Sequence, residues 1–348
     1  MHEISPKVLI ITPFSQSQRG NTLTTRRICA GLTRNGISAE LFSLESGNYR
    51  AHLEQVLATE RFNIIHVFNG TYLAQLLSSH PQLCHYPLIV TLTGTDINQD
   101  LDDNPSALKP VFTAASRIIV FHQDFKNKLL AMHQEQDKIA VIPQGVFLPP
   151  AAARSRSAYH IPADSLVFLL PTGLRPVKNV ALALDSLELL ARQDAHLHLL
   201  IIGPVIDEAY GNEIFKRIKT LPWAIYLGEI PHAEISGVYR LGDAVINCSY
   251  AEGQPQAVLE AMSLGIPAIL SDVPGNRGII EHGREGFYVS DQADFFQAAR
   301  TLLQEPARRR QMGQAAAELV QTRFDASQEI ARHIDLYKKV LNEPQCMI

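Results

Sequence analysis

Short apolar runs alternate with longer amphipathic stretches along most of the chain. In the first half, runs rich in Val, Ile and Leu predict strands in KVLIITPF, SAELFSL, NIIHVFN, PLIVTLT, SRIIVF and KIAVIP. The stretches between them have helical periodicity, as in NTLTTRRICAGLTRNG, where Asn21 is placed to cap the start of a helix and Gly36 to end it. This alternation is typical of βα units around a parallel sheet that is buried on both faces.

The alternating pattern stops over residues 144–165 and then starts again. The intervening stretch, QGVFLPPAAARSRSAYHIPADS, has a Pro-Pro pair, many small residues and no sustained period, which indicates a linker. After it, a second series of apolar runs predicts strands in LVFLLP, HLHLLIIG, AIYLGEI, DAVINCS and IPAILS. From residue 292 the chain closes on helical stretches. The sequence therefore predicts two successive α/β domains.

The amino-acid composition limits the kinds of partner that we expect the protein to bind. The 348 residues include 31 Lys+Arg against 35 Asp+Glu, a formal net charge of -4, so there is no strong positive field to gather nucleic acid or an anionic membrane. The four cysteines form no CxxC pair and have no zinc-ligand spacing, which favours a reduced, cytoplasmic setting. No run approaches the roughly 18 apolar residues of a membrane span. We expect a soluble protein with a small-molecule partner.

The loop TGLRPVKNV follows the strand LVFLLP, at the sheet edge where open α/β sheets bind ligands. Gly173 lets the backbone approach a ligand, Arg175 can hold an oxyanion with two donors, and Lys178 adds a point charge beside a helix start. Together they suit a diphosphate, although a surface turn with two solvated cations is the alternative. No G-x-G-x-x-G follows a strand and no GxxxxGK[ST] occurs, which weakens the nicotinamide and ATPase hypotheses.

The corresponding loop of the first domain is SQSQRGNTLTT. Its Gly20 and Asn21 are placed to present backbone amides to a phosphate or sugar, and a plain capped turn explains them equally well. His66 lies at the end of the strand NIIHVFN, on the side of the cleft that two facing domains would form. The sequence leaves open whether His66 has a functional role or is a hydrogen-bonded structural residue.

Two acids stand in the otherwise apolar or small stretch YAEGQPQAVLEAMSLGIPAILSD. Glu252 lies in the predicted turn after the strand DAVINCS, and Pro255 begins a predicted helix that Gly265 ends. Glu260 is inside that helix, where it either belongs to a polar stripe facing water or is buried among small residues. A buried carboxylate needs hydroxyl donors, because an unpaired buried charge costs several kcal/mol. A ribose diol would supply two.

This segment resembles the E-x7-E segment of retaining glycosyltransferases of the GT4 family, which have the two-domain GT-B fold. Other stretches resemble family motifs in the family's order: GLRPVKN, LLIIGPVID, YLGEIPHAEISGVYRLGDAVINCS and GREGFYVSD, with VIPQGV at the hinge. In the first half, NIIHVFN and LTGTDINQD resemble weaker landmarks. The chain is most similar to the glycosyltransferase 1 domain-containing protein subgroup and, more distantly, to bacterial selenosugar synthases.

The resemblance implies an architecture and its boundaries. It predicts a GT-B fold, with two Rossmann-like parallel-sheet domains facing a cleft. Residues 1–155 would be the acceptor-side domain and residues 156–325 the nucleotide-sugar-binding domain. Residues 326–348 would form a C-terminal helix that returns to the first domain.

The resemblance also implies roles for the site residues. Arg175 and Lys178 match the pair that holds the donor diphosphate, Glu252 the acid near the transferring sugar, and Glu260 the acid on the donor ribose. The stretch that meets the sugar and phosphates comprises Gln254, Pro255, Gln256, Ala257 and Val258. The nucleobase is expected at Glu229 and Ile230.

Two departures from the family pattern affect the acceptor side. The family commonly has a histidine after the fourth strand of the first domain, where this chain has Thr93, so Asp96 or His66 would have to substitute for it. The family also often has a Glu after the glycines of its GG-x-P-E loop, where this chain has PGNRGII. Asn276 or Arg277 is then expected to meet that part of the donor or acceptor.

The sequence therefore favours a retaining glycosyltransferase that uses a nucleoside-diphosphate sugar, with a UDP-sugar as the first choice, and needs no metal and no cofactor. A catalytically inactive sugar-nucleotide-binding protein with a regulatory or assembly role is the alternative. An NAD-dependent oxidoreductase on a similar scaffold is disfavoured by the missing glycine fingerprint. The acceptor, the base and sugar of the donor, and the oligomeric state are left open.

Overall fold

A computed structural model describes residues 5–15, 20–193 and 196–343 of the chain. It divides the chain into two compact units. The first unit comprises Met1–Gly145 together with Ala326–Ile348, and the second comprises Val146–Asp325.

Twelve strands in the described residues form two parallel sheets of six. The first sheet contains β1 (Lys7–Thr12), β2 (Ser38–Ser43), β3 (Ile64–Phe68), β4 (Leu88–Thr91), β5 (Arg117–Val120) and β6 (Ile139–Val141). The second contains β7 (Leu166–Pro171), β8 (Leu197–Ile202), β9 (Ala224–Gly228), β10 (Ala244–Asn247), β11 (Ala268–Ser271) and β12 (Gly286–Val289). Their spatial orders are β2-β1-β3-β4-β5-β6 and β12-β11-β10-β7-β8-β9.

The α-helices connect these strands and cover the sheets. In the first half they are α1 (Gly20–Arg34), α2 (Tyr49–Thr59), α3 (Gly70–Ser79), α4 (Leu101–Asp103), α5 (Lys109–Ala114) and α6 (Gln123–Ala131). In the second half they are α7 (Val180–Ala191), α8 (Glu208–Ile218), α9 (Ile235–Tyr239), α10 (Gln256–Met262), α11 (Gln292–Gln304), α12 (Pro306–Arg323) and α13 (Ala326–Asn342).

The burial of the central strands explains why they are continuous runs of apolar residues in the sequence. Every residue of β3 and of β4 is buried, and in β7 only the last residue is not. Helices pack on both faces of each sheet, so neither face of a central strand has to be polar. The prediction of two α/β halves with buried parallel sheets is confirmed.

Each sheet has a topological switch point, where successive connections change direction. In the first sheet β2 is added on one side of β1, and β3 to β6 are added on the other side. β1 and β3 therefore lie at the switch. In the second sheet β7 and β10 lie at the switch. Open α/β sheets bind ligands outside the carboxyl ends of the strands at this point. The residues that follow these four strands therefore define where sites are expected.

The last helix, α13, belongs to the first unit and packs against α1. An ion pair joins Arg27 Nε to Glu329 Oε2 at 2.9 Å, with side chains only 8% and 2% exposed. A Cβ added to Gly31 would lie 2.5 Å from Ile330 Cγ1, so this glycine lets α1 and α13 pack closely. The side chains of α13 complete an apolar cluster with β1 and α1.

The structure places the first boundary between units after Gly145, ten residues before the residue 155 predicted from sequence. The reason is that the residues after Gly145 pack on the second unit. The Val146 amide donates to the Phe324 carbonyl at 2.7 Å, and Ser236 Oγ donates to the Pro149 carbonyl at 2.7 Å.

Two local predictions need correction. Strand β12 was not predicted, because its four residues, GFYV, are a short run between charged and polar neighbours. Asn21 lies inside α1, which begins at Gly20, so it is not the N-cap of this helix. Gly36 does follow the end of α1 with a φ of 77°. Among the helices in the described ranges, none has both the length and the apolar character of a membrane span.

Candidate active site

The loop after β7 carries two cationic side chains in a compact turn. Arg175 and Lys178 are both partly buried, and a short 3₁₀ turn spans Pro176–Lys178. The Tyr250 amide donates to the Val177 carbonyl at 2.9 Å, which ties this loop to the end of β10. A Cβ on Gly173 would lie 2.4 Å from Ile206 Cδ1, so a larger residue there would have to displace Ile206.

The Arg175 guanidinium has an unsatisfied donor. Its Nε is buried and has no hydrogen-bond partner in the part of the chain that the structure describes. A buried N–H without a partner costs free energy, and an anion is the partner that a guanidinium binds best. An anion bound beside the β7 loop would give this guanidinium a partner.

Glu252 is the centre of a hydrogen-bond network at the end of β10. Its Oε1 accepts from Lys178 Nζ at 2.6 Å, from Ser249 Oγ at 2.6 Å and from Asn247 Nδ2 at 2.8 Å. The Lys178 and Glu252 side chains are only 18% and 10% exposed. The network joins the loops after β7 and β10, the two strands at the switch point of the second sheet.

The network keeps Glu252 ionised. Burial by itself raises the pKa of this carboxyl, but the charge of Lys178 and the hydrogen bonds from Lys178, Ser249 and Asn247 outweigh it, so the pKa is lowered overall. An ammonium has three N–H donors, and the bond to Glu252 uses one of them. Lys178 can therefore hold Glu252 and a phosphate oxygen at the same time.

A second layer of polar contacts supports the network. Asn276 is fully buried, and its Nδ2 donates to Asn247 Oδ1 at 3.1 Å and to the Ser271 carbonyl at 2.9 Å. The expectation that Asn276 meets a substrate is wrong, because no surface of this residue is exposed. Its role is to position Asn247. Arg277 is exposed and pairs with Asp272 at 2.7 Å.

Glu260 is buried in α10, with 5% of its surface exposed, which excludes the alternative of a polar stripe facing water. His232 Nε2 lies 2.9 Å from Glu260 Oε1. Tyr239 is also close, since the Glu260 charge adds to burial in raising the pKa of this phenol well above its ordinary value. A carboxylate that already accepts one bond from a histidine still has oxygen lone pairs for hydroxyl donors of a ligand.

The residues predicted to meet the sugar and phosphates lie just before α10 and in its first turn. Gln254 and Pro255 are buried, whereas Gln256 and Ala257 are partly exposed and Val258 is again buried. The helix begins at Gln256, one residue later than predicted, and the Val258 amide donates to the Pro255 carbonyl at 3.0 Å.

The residues predicted for the nucleobase follow β9. Glu229 is exposed and Ile230 partly buried, directly after Gly228, whose φ of 72° turns the chain. His232 lies two residues further along the same loop. The loops that contain Arg175, Lys178 and Glu252 and the helix that contains Glu260 all belong to the second unit.

The predicted residues of the first domain lie in the first unit. Gly20 is exposed and begins α1. Asn21, the next residue, contacts Thr93 through its side chain, with Nδ2 donating to Thr93 Oγ1 at 3.4 Å. This contact places Asn21 beside an acceptor-side candidate, and its role in donor binding stays a prediction.

His66 is a buried structural residue, and the hypothesis that it meets an acceptor is wrong. It is 0% exposed and lies within β3. Its Nδ1 lies 2.7 Å from Tyr337 Oη and its Nε2 lies 2.7 Å from Thr91 Oγ1, so both ring nitrogens are occupied. His333 of α13 stacks beside it, with ring centroids 5.6 Å apart.

This histidine pair predicts acid sensitivity of the first unit. Burial lowers the pKa of His66 well below its ordinary value, and burial with the nearby Arg27 charge lowers the pKa of His333 to about 3. As the pH falls, the unfolded chain takes up these protons first. Each histidine's contribution is therefore intact above its unfolded pKa of about 6.5 and is lost below it, at about 1.4 kcal/mol per pH unit.

We expect His333→Phe to reduce the loss of stability between about pH 7 and about pH 5 by about 2 kcal/mol, because one buried imidazole no longer resists protonation. The free energy of unfolding in urea, compared at about pH 7 and about pH 5, measures this loss. The same substitution at the exposed His85 is the control. An unchanged loss in His333→Phe would contradict the assignment.

Asp96 is also structural, which corrects its place among the acceptor-side candidates. It is 0% exposed, and its carboxylate accepts from the amides of Gly70 at 2.8 Å, Gly94 at 2.9 Å and Thr93 at 2.9 Å. Burial raises the pKa of Asp96 against the opposing effect of these amides. Of the three acceptor-side candidates, only Thr93 is partly exposed.

The polar residues that hold the two acids were not predicted from the sequence. Asn247 and Ser249 lie five and three residues before Glu252 in NCSYAE, and two small polar side chains at a strand end are a usable signal. His232 follows the predicted nucleobase residues in GEIPHAE, but nothing in the sequence connects it with Glu260. Within the described ranges, no group of three or more His, Cys, Asp or Glu side chains is placed to hold a metal ion.

Comparison with known proteins shows which class of protein this chain resembles. Residues 152–319 match the family model of the glycosyl transferases group 1, and these residues contain Arg175, Lys178, Glu252 and Glu260. The chain also has the fold of HepE from Anabaena, with a TM-score of 0.79 over 96% of this chain and 100% of that one, at 17% identity. Sucrose-phosphate synthase from Thermosynechococcus elongatus gives a TM-score of 0.81 over 96% and 99%, at 15% identity. Residues 152–319 thus match the glycosyl transferases group 1, and the chain has the GT-B fold.

Among curated proteins, the chain is similar to Glycosyltransferase 1 domain-containing protein 1 of Xenopus tropicalis. The two are 26% identical over 310 residues, which cover 85% of this chain and 88% of that protein. It is also similar to N-acetyl-alpha-D-glucosaminyl L-malate synthase of Bacillus anthracis, at 23% identity over 84% of this chain and 78% of that protein. The more distant likeness to selenosugar synthases stays a prediction.

Proposed function

We propose that the protein is a retaining glycosyltransferase that takes a sugar from a nucleoside-diphosphate donor bound by its second unit. The observation that carries this proposal is the arrangement at the switch point of the second sheet. There the buried Nε of Arg175 has no partner among the described residues, and Lys178 pairs with Glu252 at 2.6 Å. A donor diphosphate supplies the anion that these cations need.

The proposed chemistry is electrostatic. Glycosyl transfer has an oxocarbenium-like transition state, and negative charge grows on the leaving diphosphate. Arg175 and Lys178 would stabilise this charge from fixed positions, and no metal or cofactor is required for that role. Glu252 would orient the sugar. As the bond from the anomeric carbon to the diphosphate breaks, the acceptor oxygen would bond to that carbon on the same face and give its proton to a leaving phosphate oxygen, so the anomeric configuration is retained.

Glu260 would bind the donor ribose. His232 holds one of its oxygens at 2.9 Å, and a ribose diol would donate to the carboxylate. The residues before and within the first turn of α10 would meet the sugar and phosphates, with the base at Glu229 and Ile230. The HepE structure contains UDP and glucose, which supports UDP-glucose as the first donor to test.

We expect UDP-glucose to raise the melting temperature of the wild type and to have little effect on Glu260→Gln. A ligand at about 100 times its dissociation constant adds about 2.7 kcal/mol, or roughly 5 to 10 °C for a unit of this size. Gln keeps the shape of the side chain but weakens its hydrogen bonds with hydroxyl groups, because these bonds are stronger to a charged acceptor. GDP-mannose, ADP-glucose and NAD are measured in parallel.

Glu234→Gln is the matched control, because Glu234 is 58% exposed and pairs with Arg154 on the surface. It should keep the wild-type response. Free nucleotide assayed in the same samples reports turnover by transfer or slow hydrolysis. Binding without nucleotide release, with any acceptor supplied, would identify the inactive sugar-nucleotide-binding protein. A response to NAD alone, or to none of these compounds, would contradict the proposal.

A further inference from the structure

Three arginine side chains line a cavity at the amino edge of the second sheet. Arg240, Arg309 and Arg310 border this space of about 380 Å³. Two loops also line it, and they lead directly into β10 at Ala244 and into β11 at Ala268. The residues of the proposed donor site instead follow the carboxyl ends of β7 and β10. The cavity and the donor site therefore lie at opposite edges of the same sheet.

The cavity has an excess of positive charge. Asp243 is the only acid among the described residues that line it. Its Oδ2 already accepts from Arg156 Nη2 at 2.8 Å and from the Val167 amide at 2.8 Å. Three cations thus surround one carboxylate that is already bonded, in a chain whose formal net charge is -4.

The three arginines have few bonds of their own. The exposed Arg310 side chain makes no hydrogen bond or ion pair with any residue that the structure describes. Arg240 is exposed as well, and its Nη1 reaches the Ser236 carbonyl only at 3.5 Å. Arg309 Nη1 donates to the Leu302 carbonyl. Because a guanidinium has five N–H donors, most donors of these side chains are available to a ligand.

The start of α12 is an unfavourable place for cations. Arg308, Arg309 and Arg310 are the third to fifth residues of this helix, which has no acid in its first turn. The positive end of the helix dipole lies there, and it disfavours cationic side chains and favours an anion. An anion between the arginines would therefore interact favourably with the side chains and with the helix.

The arginines also repel one another. Burial lowers the pKa of Arg309 from its ordinary value. The charges of Arg310 and Arg156 lower it as well, against the opposing charge of Asp243. Like charges at close range destabilise each other, and a bound anion would offset this repulsion.

Close packing fixes the backbone around the cavity. A Cβ added to Gly313 would lie 2.0 Å from the Gly265 carbonyl oxygen, so the missing side chain lets α12 pack directly on the loop before β11. Gly265 itself lines the cavity. Because α12 holds two of the arginines against this loop, an anion would not have to order the backbone, and it would bind at a lower entropic cost.

We propose that Arg240, Arg309 and Arg310 form an anion site that binds a phosphate group and is separate from the donor site. Guanidinium groups bind phosphate oxygens through paired hydrogen bonds, and three of them suit a doubly charged phosphate better than a single carboxylate. The phosphate belongs to a soluble compound or to the headgroup of an anionic lipid. The proposal does not depend on the proposed function, because the two sites share no residue.

Calorimetric titration of the full chain with pyrophosphate tests the site. We expect Arg310→Gln to weaken binding at this site roughly tenfold, because charge-assisted hydrogen bonds to the anion are lost. Arg175→Gln removes a cation of the donor site and should leave the binding that depends on Arg310 in place. The two variants therefore separate pyrophosphate bound at the cavity from pyrophosphate bound at the donor site, and a chain without a donor site would still respond to Arg310→Gln.

Arg332→Gln is the matched control, since Arg332 is exposed on α13 and its side chain has no hydrogen bond or ion pair within the described ranges. This variant removes the same charge from the first unit, and it should bind pyrophosphate as the wild type does.

Sedimentation with vesicles of phosphatidylcholine, with or without phosphatidic acid, distinguishes the two sources of the phosphate. Sedimentation that requires phosphatidic acid and Arg310 would identify a lipid headgroup. Binding of pyrophosphate that requires Arg310, without sedimentation, would identify a soluble compound. If neither assay shows binding that depends on Arg310, or if Arg332→Gln causes an equal loss, the proposal is overturned.

Discussion

Lys178→Met should lower the rate of sugar transfer roughly 100-fold to 1,000-fold, which is the usual cost of removing one fixed group that stabilises a developing negative charge. The same substitution should also destabilise the second unit. Glu252 would keep its bonds to Ser249 and Asn247 but would lose the cation that balances its buried charge. Breaking a buried ion pair in this way costs about 3 kcal/mol.

A double variant separates the two effects. Lys178→Met with Glu252→Gln has no charge left to bury, so it should recover most of the lost stability while transfer stays low. The exposed pair of Lys7 and Glu60, 35% and 46% exposed at 2.7 Å, supplies the control Lys7→Met. That variant should lose less than about 1 kcal/mol and keep full activity.

The pH dependence gives an independent check. In the wild type the pKa of Glu252 is lowered, so its stabilising contribution is present above the unfolded value near 4.5 and is lost as the pH falls through the folded value. In Lys178→Met this stabilisation is absent, so the difference in stability between wild type and variant should narrow at acid pH. A constant difference, or a variant with normal transfer, would show that Lys178 does not balance Glu252.

Most of the fold could be predicted from the local pattern of apolar and polar residues. The apolar runs of central strands such as β3, β4 and β7 are continuous because parallel strands covered on both faces bury nearly every residue. β12 was missed because its residues GFYV stand between charged and polar neighbours and belong to no longer apolar run. The boundary at Gly145 was missed because it depends on tertiary contacts, such as the bond from the Val146 amide to the Phe324 carbonyl at 2.7 Å.

The site residues could be predicted where a residue with a chemical role follows the end of a strand. Arg175, Lys178 and Glu252 follow β7 and β10, and a strand end can be recognised from sequence. His66 and Asp96 are also titratable residues in or after a predicted strand, yet both are fully buried and bonded within the fold. Burial of a single polar side chain depends on distant elements, here α13 for His66, which local sequence does not reveal.

Gly275→Ala should be among the most damaging single methyl additions near the site. A Cβ at this position would lie 2.0 Å from the Glu252 carbonyl oxygen and 2.4 Å from its carbonyl carbon. Both are backbone atoms, so no side chain can rotate away and the turn that carries Glu252 must move. Overpacking of this kind costs about 1–3 kcal/mol, and a displacement of about 1 Å at a reacting group costs roughly 100-fold in rate.

Gly47→Ala is the control for the added methyl group, because a Cβ on Gly47 meets no atom within 4 Å. It should leave both the free energy of unfolding and the rate of transfer unchanged. Transfer by Gly275→Ala is measured well below its melting temperature, so that lost activity reflects a displaced Glu252 and not an unfolded chain. If Gly275→Ala kept wild-type transfer while losing stability, the position of the Glu252 backbone would not matter for the reaction, and Glu252 would serve only to hold Lys178.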